Sequence, residues 1–121
     1  MEPNLKYFSN KRILITGGGG YLGSKLAEKI AGSNAEIYLL DLKFNESSER
    51  LISERKNTIK LECDLTDYKD VNEACKEANP ELIFHFGAIL DRDRDFLIFD
   101  KLYKVNVIGT LNLLNALKPN E

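Results

Sequence analysis

An α/β fold, built on a parallel four-stranded sheet in the order 3-2-1-4 with helices on both faces, is predicted by three features of the sequence. Strand-sized apolar runs alternate with helix-patterned segments, a run of glycines follows the first apolar run, and a carboxylate closes the second. Strand then helix, repeated four times, is the sequence form of crossover connections onto a parallel sheet.

The elements follow in order. Arg12 to Thr16 (RILIT) is a short apolar run ending in glycines, as a buried strand would. Tyr21 to Ala31 places Leu22, Leu26, Ala27 and Ile30 at helical spacing, and Gly32, Ser33 and Asn34 stop it. Glu36 to Asp41 (EIYLLD) is the second strand. Ser47 to Arg55 has only Leu51 and Ile52 to bury and predicts a solvent-facing helix. Ile59, Leu61 and Cys63 alternate with Lys60 and Glu62, the pattern of a half-buried strand. Asp67 to Ala78 predicts a helix capped by Thr66 or Asp67. Pro80 introduces Leu82 to Phe86 (LIFHF), a nearly continuous apolar strand. Residues 91–95 (DRDRD) form a charged stretch expected to be a solvated loop. A last helix, from about Asp100 to Leu117, carries Leu102, Val105, Gly109, Leu113 and Ala116 along one face. In the order 3-2-1-4 the alternating third strand falls at an edge, and the unbroken fourth would be central in a complete sheet.

Bulk properties narrow the function. The 121 residues support one domain, 43% of them are hydrophobic and 30% charged, and the net charge is −2, which argues against nucleic acid or an anionic membrane as partner. No apolar stretch approaches the roughly 20 residues of a membrane span. The opening MEPNLKYFSNKR has no signal-peptide core, so a cytoplasmic location is expected. Cys63 and Cys75 lack CxxC spacing and read as buried free thiols; no metal site is expected.

The chemistry lies in Thr16-Gly-Gly-Gly-Gly-Tyr-Leu-Gly-Ser24, between a strand and a helix. A sharp strand-to-helix turn needs positive φ, a diphosphate approaching the backbone needs a position without a side chain, and close helix–strand packing needs another. Gly17, Gly20 and Gly23 satisfy GxxGxxG, while Gly18, Gly20 and Gly23 satisfy GxGxxG. Free amides at the start of the helix, around Tyr21, Leu22 and Gly23, would meet the phosphates with the positive end of the helix dipole. Asp41 ends the second strand roughly 20 residues on, where a ribose-binding carboxylate belongs. It repels a 2′-phosphate, so NAD is expected rather than NADP, with Lys43 able to relax that preference. The pattern is Rossmann-type. A phosphate loop of the nucleoside-triphosphate kind fits poorly, because Ser24-Lys25 reverses the required order and turns Lys25 about 100° around the helix.

Together these residues resemble the extended short-chain dehydrogenase/reductase family, the NAD-dependent epimerases and dehydratases of nucleotide sugars. The resemblance rests on TGGGGYLGS at 16–24, LLD at 39–41, CDLTD at 63–67 and VNVIGTLNLL at 105–114. FHFGA at 84–88 looks like the family's HLAA segment, with Phe86 and Gly87 departing from it. The resemblance implies that Asp64 and Leu65 flank the adenine and that the backbone of Gly87 and Ala88 passes under the cofactor, where larger side chains would take its volume. It implies that Asn106 supports the active site; the other reading is a helix amide bonding nearby backbone. His85 matches a common family position and reads as a packed structural residue rather than an acid or base.

Such enzymes pass a hydride to and from nicotinamide, with a Tyr as acid/base and a Lys four residues later. That pair belongs to later strands and helices than those present. Tyr7/Lys11 and Tyr21/Lys25 match the spacing but stand in the wrong structural context, so no catalytic residue is assigned. Residues 1–10 are expected to be an extension and residues 11–121 a partial NAD-binding domain, truncated before the later strands and without a substrate domain. A nucleotide-sugar substrate is then expected only when missing residues complete the site. The alternatives are a non-catalytic NAD-binding regulatory or partner-binding module and a purely structural scaffold. The unpaired side of 82–86 is expected to favour self-association.

Overall fold

Polar turn residues and apolar runs divide the chain as expected. The structure, a computed structural model, describes residues 4–90 and 96–118; the DRDRD stretch lies outside them. Strands β1 (Arg12–Thr16), β2 (Glu36–Asp41), β3 (Thr58–Glu62) and β4 (Leu82–His85) form one parallel sheet in the order β3-β2-β1-β4. Helices α1 (Tyr21–Ile30), α2 (Glu46–Glu54) and α3 (Tyr68–Ala78) join them. Asp67 is the cap of α3, accepting from Lys69 N and Asp70 N.

The period-two alternation of β1 sets up two cores. Ile13 and Ile15 face α1 and α2, packing with Ile37, Leu39, Ala27, Ile30 and Leu51. Leu14 faces the other way, with Leu40, Leu61, Val71 of α3 and Leu113 of the last helix. Ile13, Leu14, Ile15 and Leu39 are fully buried, each worth about 1.5–3 kcal/mol of transfer free energy. This is the α/β sandwich of three layers that the alternating elements imply.

Three features go beyond the sequence reading. A 3₁₀ turn at Leu5–Phe8, capped by Asn4, brings Phe8 onto the α1/α2-side core, with its ring 6.3 Å from that of Phe84. The last helix starts earlier than expected, as α4 (Phe96–Tyr103). A π-helical turn at Lys104–Ile108 then interrupts it before it continues as α5 (Gly109–Ala116). β4 stops at His85, one residue short, and pairs only with β1 among the described residues. Leu82, Ile83 and Phe84 are therefore half-buried, whereas the β1 and β2 interiors are closed. No described helix is long and apolar enough to cross a membrane.

Candidate functional site

A crevice opens at the C-terminal ends of β1, β2 and β4, where parallel α/β sheets offer ligands their site. Its first wall is the glycine turn. Gly17 has φ +70, and a Cβ there would lie 2.7 Å from the Phe86 carbonyl carbon, so both backbone and neighbours demand glycine. A Cβ at Gly23 would run into the Gly17 carbonyl, which is the close packing of α1 on the turn. The turn is fastened by Gly18 N donating to Leu40 O (3.2 Å) and Asn45 N donating to Gly19 O (2.9 Å). Asn45 also caps α2, accepting from Ser48 N at 2.8 Å, so the start of α2 anchors the loop.

Gly20 behaves differently. A Cβ there would meet nothing nearer than the Gly17 carbonyl oxygen at 3.4 Å, an ordinary contact, so the fold itself does not require glycine. The position fronts a concavity lined by Gly17, Tyr21, Leu22, Gly23, Asp41 and Ala88. Gly20 is also the N-cap of α1 and offers no capping side chain. The first-turn amides thus remain available to an anion.

Asp41 stands on the second wall. Its Oδ2 accepts from Gly19 N (3.1 Å) and its Oδ1 from Leu42 N (2.8 Å). These bonds fix the carboxylate at the crevice mouth and leave it lone pairs for further donors, since an ionised carboxylate has about four acceptor sites. Beside it, a second and more apolar concavity is lined by Leu42, Cys63, Asp64, Leu65, Ile89 and Val105. The two concavities share Gly17, Asp41 and Ala88. Asp64 Oδ1 accepts from Thr66 N (2.9 Å) and Thr66 Oγ1 (2.7 Å), a local turn that fixes the side chain at the rim. Burial pushes the Cys63 thiol up to about 12, with Asp70, Cys75, Asp64 and Asp67 adding to the effect, so it lines the cavity as an inert thiol.

The floor is the stretch after β4. Gly87 is buried, and a Cβ there would lie 2.5 Å from Leu65 Cδ1 and 3.2 Å from Thr16 Cβ. A side chain at Gly87 would have to displace the end of the Leu65 side chain and press on Thr16, so the chain's own packing crowds the position. Leu65 is itself 92% out of solvent, being 8% exposed, with its carbonyl accepting from Asn112 Nδ2 at 2.8 Å. Asn106, on the π-helical turn, grips this floor with both ends of its amide. Its Oδ1 accepts from Ile89 N and its Nδ2 donates to Ile89 O, each at 2.8 Å. These bonds join the two readings of Asn106: the amide bonds backbone, and the backbone is that of the crevice loop.

The structure thus brings Gly17, Gly20, Tyr21, Leu22, Gly23, Asp41, Asp64, Leu65 and Ala88 onto one crevice, with Gly87 and Asn106 beneath it. Sequence reasoning missed Thr16, Leu42, Ile89 and Val105 as parts of the site. Thr16 carried the only signal, a hydroxyl at the end of an otherwise apolar strand. The YxxxK pairs stand apart. Lys11 lies 4.6 Å over the Tyr7 ring, before the N-terminal end of β1 and so at the opposite edge of the sheet from the glycines. Lys25 sits 5.8 Å over the Tyr21 ring and 3.7 Å from Glu28, occupied on the α1 surface.

Sheet order, glycine turn and strand-end carboxylate define a Rossmann-type nucleotide-binding domain. Within that class the chain belongs to the NAD dependent epimerase/dehydratase family, whose model matches residues 13–121. It is 34% identical over 110 residues to the UDP-glucose 4-epimerase of Bacillus subtilis, covering 88% of this chain and 32% of that protein. It is 32% identical over 108 residues to a probable dTDP-glucose 4,6-dehydratase of Sinorhizobium fredii, covering 87% of this chain and 31% of that one. Among solved structures, the Bordetella bronchiseptica enzyme WbmG in complex with NAD superposes with a TM-score of 0.75 at 29% identity, over 89% of this chain and 34% of that one. The chain spans about a third of the length of the curated relatives it matches.

Proposed function

We propose that this chain binds NAD and is the cofactor-holding portion of a nucleotide-sugar epimerase or dehydratase, without carrying the reaction alone. The observation that carries the reading is Gly20: a side chain the fold would tolerate is absent where it would enter the crevice. The diphosphate is received by the amides of Tyr21, Leu22 and Gly23, with Gly20 leaving room for its approach, and Asp41 accepts from the ribose hydroxyls. Leu65 and Val105 supply apolar contact to the adenine, with Asp64 at its rim. Ala88 and the Gly87 backbone support the cofactor from below. When bound, NAD supplies a reversible hydride acceptor. No acid/base pair for the reaction is assigned among the described residues. Calorimetric titration with NAD tests the reading. The parent binds, and Gly20→Val and Asp41→Ala each lose at least tenfold in affinity, as expected when a phosphate path is blocked or about two hydrogen bonds go. Binding equal to the parent in both variants overturns the site.

We also infer that the outer edge of β4 pairs with a second copy of the chain. Leu82–Phe84 are half-buried there, and Phe86, just beyond the strand, is 41% exposed. Strand edges of this kind recruit strands. Light scattering across a concentration series should show association, and a dispersed monomer at high concentration overturns it.

A further inference from the structure

We propose that His85, as the neutral Nε2–H tautomer, is a positioning residue that ties β1 to the last helix and so sets the height of the Gly87–Ile89 floor. The proposal rests on the NAD reading for its functional consequence, and on the following geometry for itself. His85 Nδ1 is 2.5 Å from Thr16 Oγ1, and His85 Nε2 is 2.9 Å from Thr110 Oγ1. Thr16 Oγ1 accepts from Gly87 N at 3.0 Å, and Thr110 Oγ1 donates to Asn106 O at 2.8 Å.

One set of protons satisfies every member. Thr110 spends its hydrogen on the Asn106 carbonyl, so it must accept from His85, which places the ring proton on Nε2. Nδ1 is then an acceptor, and the fully buried Thr16 hydroxyl donates to it while receiving the Gly87 amide. The result is an unbroken run from the floor amide, through β1 and β4, to the turn whose Asn106 side chain grips Ile89. The floor is held at Gly87 from one side and at Ile89 from the other, and His85 is the link between the two grips. From β1 and from the helix it is faced by hydroxyls. Desolvation lowers its pKa below the usual 6.5, and no charged side chain is among the causes. Protonation would place a second hydrogen on Nδ1. Thr16 would then face two donors and its own hydrogen would lose its acceptor, loosening Gly87.

The test uses the 121-residue chain, with ¹⁵N NMR of the imidazole and NAD titration from pH 5 to 8. The ring should report the Nε2–H tautomer, and NAD affinity should fall as the protonated fraction of His85 rises. His85→Phe should weaken NAD about fivefold at pH 7.5, as for one lost hydrogen bond, abolish that pH dependence and raise the exchange rate of the Gly87 amide. Protection at Leu14 should be unchanged, showing that the sheet is intact. His85→Asn keeps an acceptor near Nδ1 but loses the bond to Thr110 and does not titrate, so its NAD affinity should fall between those of the parent and His85→Phe, with no His-linked pH dependence. An Nδ1–H tautomer overturns the proposal. So does a His85→Phe chain whose NAD affinity, pH profile and Gly87 exchange all match the parent. Asp41→Ala separates the two readings: if it binds NAD normally the cofactor reading fails, whereas lost binding in Asp41→Ala beside parent-like His85 variants removes the His85 proposal alone.

Discussion

The two halves of the crevice are held by different means. The β1–α1–β2 half is fastened mainly by backbone: Gly17 turns through positive φ, Gly18 and Gly19 bond main-chain groups of Leu40 and Asn45, and the strand interiors beneath are buried. The β4 half is fastened by side chains reaching across elements, Asn106 to Ile89, Thr16 to Gly87 and His85 to both threonines, over a half-buried strand. Backbone constraints fix residue type at a spacing. Side-chain constraints need only a partner somewhere in space. The first half should therefore fail by unfolding, and the second by losing order at one loop.

The strongest way to break this contrast is inside the first half. Gly23→Val drives a side chain into the Gly17 carbonyl and should lower the unfolding free energy by about 3 kcal/mol or more, read by urea denaturation. Gly20→Val, three residues earlier, should leave that value within about 1 kcal/mol while removing NAD binding. Equal stability losses in the two variants would mean that Gly20 serves the fold. In the second half, Asn106→Ala should cost about 2 kcal/mol for two lost bonds, concentrated as faster exchange at the Ile89 amide. A loss spread over β1 and β2 would erase the distinction.

The effect smallest at neutral pH concerns Cys63. Its folded pKa is raised from 9.0 to about 12, so above pH 9 the unfolded chain releases the thiol proton and the folded chain keeps it. Stability should therefore decline as pH rises from 9 towards 12 and be unaffected by this group below 9. Cys63→Ser, which does not titrate there, should flatten that part of the pH–stability curve.

The same contrast explains what could be read from the sequence. Strand order, the glycine turn and Asp41 were legible because each rests on a local rule: period-two apolarity, a left-handed turn, a strand-ending carboxylate. Asp64 and Ala88 were placed through resemblance, and they do line the crevice. The early start of α4, the π-helical turn and the grip of Asn106 on Ile89 were not legible. A five-residue turn leaves little trace in helical periodicity, and a bond spanning 17 residues has no local pattern. The crowding at Gly87 left no local trace for a similar reason, since Leu65, 22 positions away in sequence, supplies the nearest atom.

The π-helical turn at Lys104–Ile108 has one further implication. Such a turn carries one residue more than an α-helix would, so the segment on either side is phased by that surplus. Deleting a single surface residue within it, Val107 for example, should restore ordinary winding with the flanking segments nearly in place, because five π-wound residues turn about as far as four α-wound ones. Asn106, inside the turn, would be re-aimed and its grip on Ile89 lost, while Gly109 and Leu113 stayed seated on the sheet. One omitted codon would thus unlatch the crevice and leave the scaffold standing.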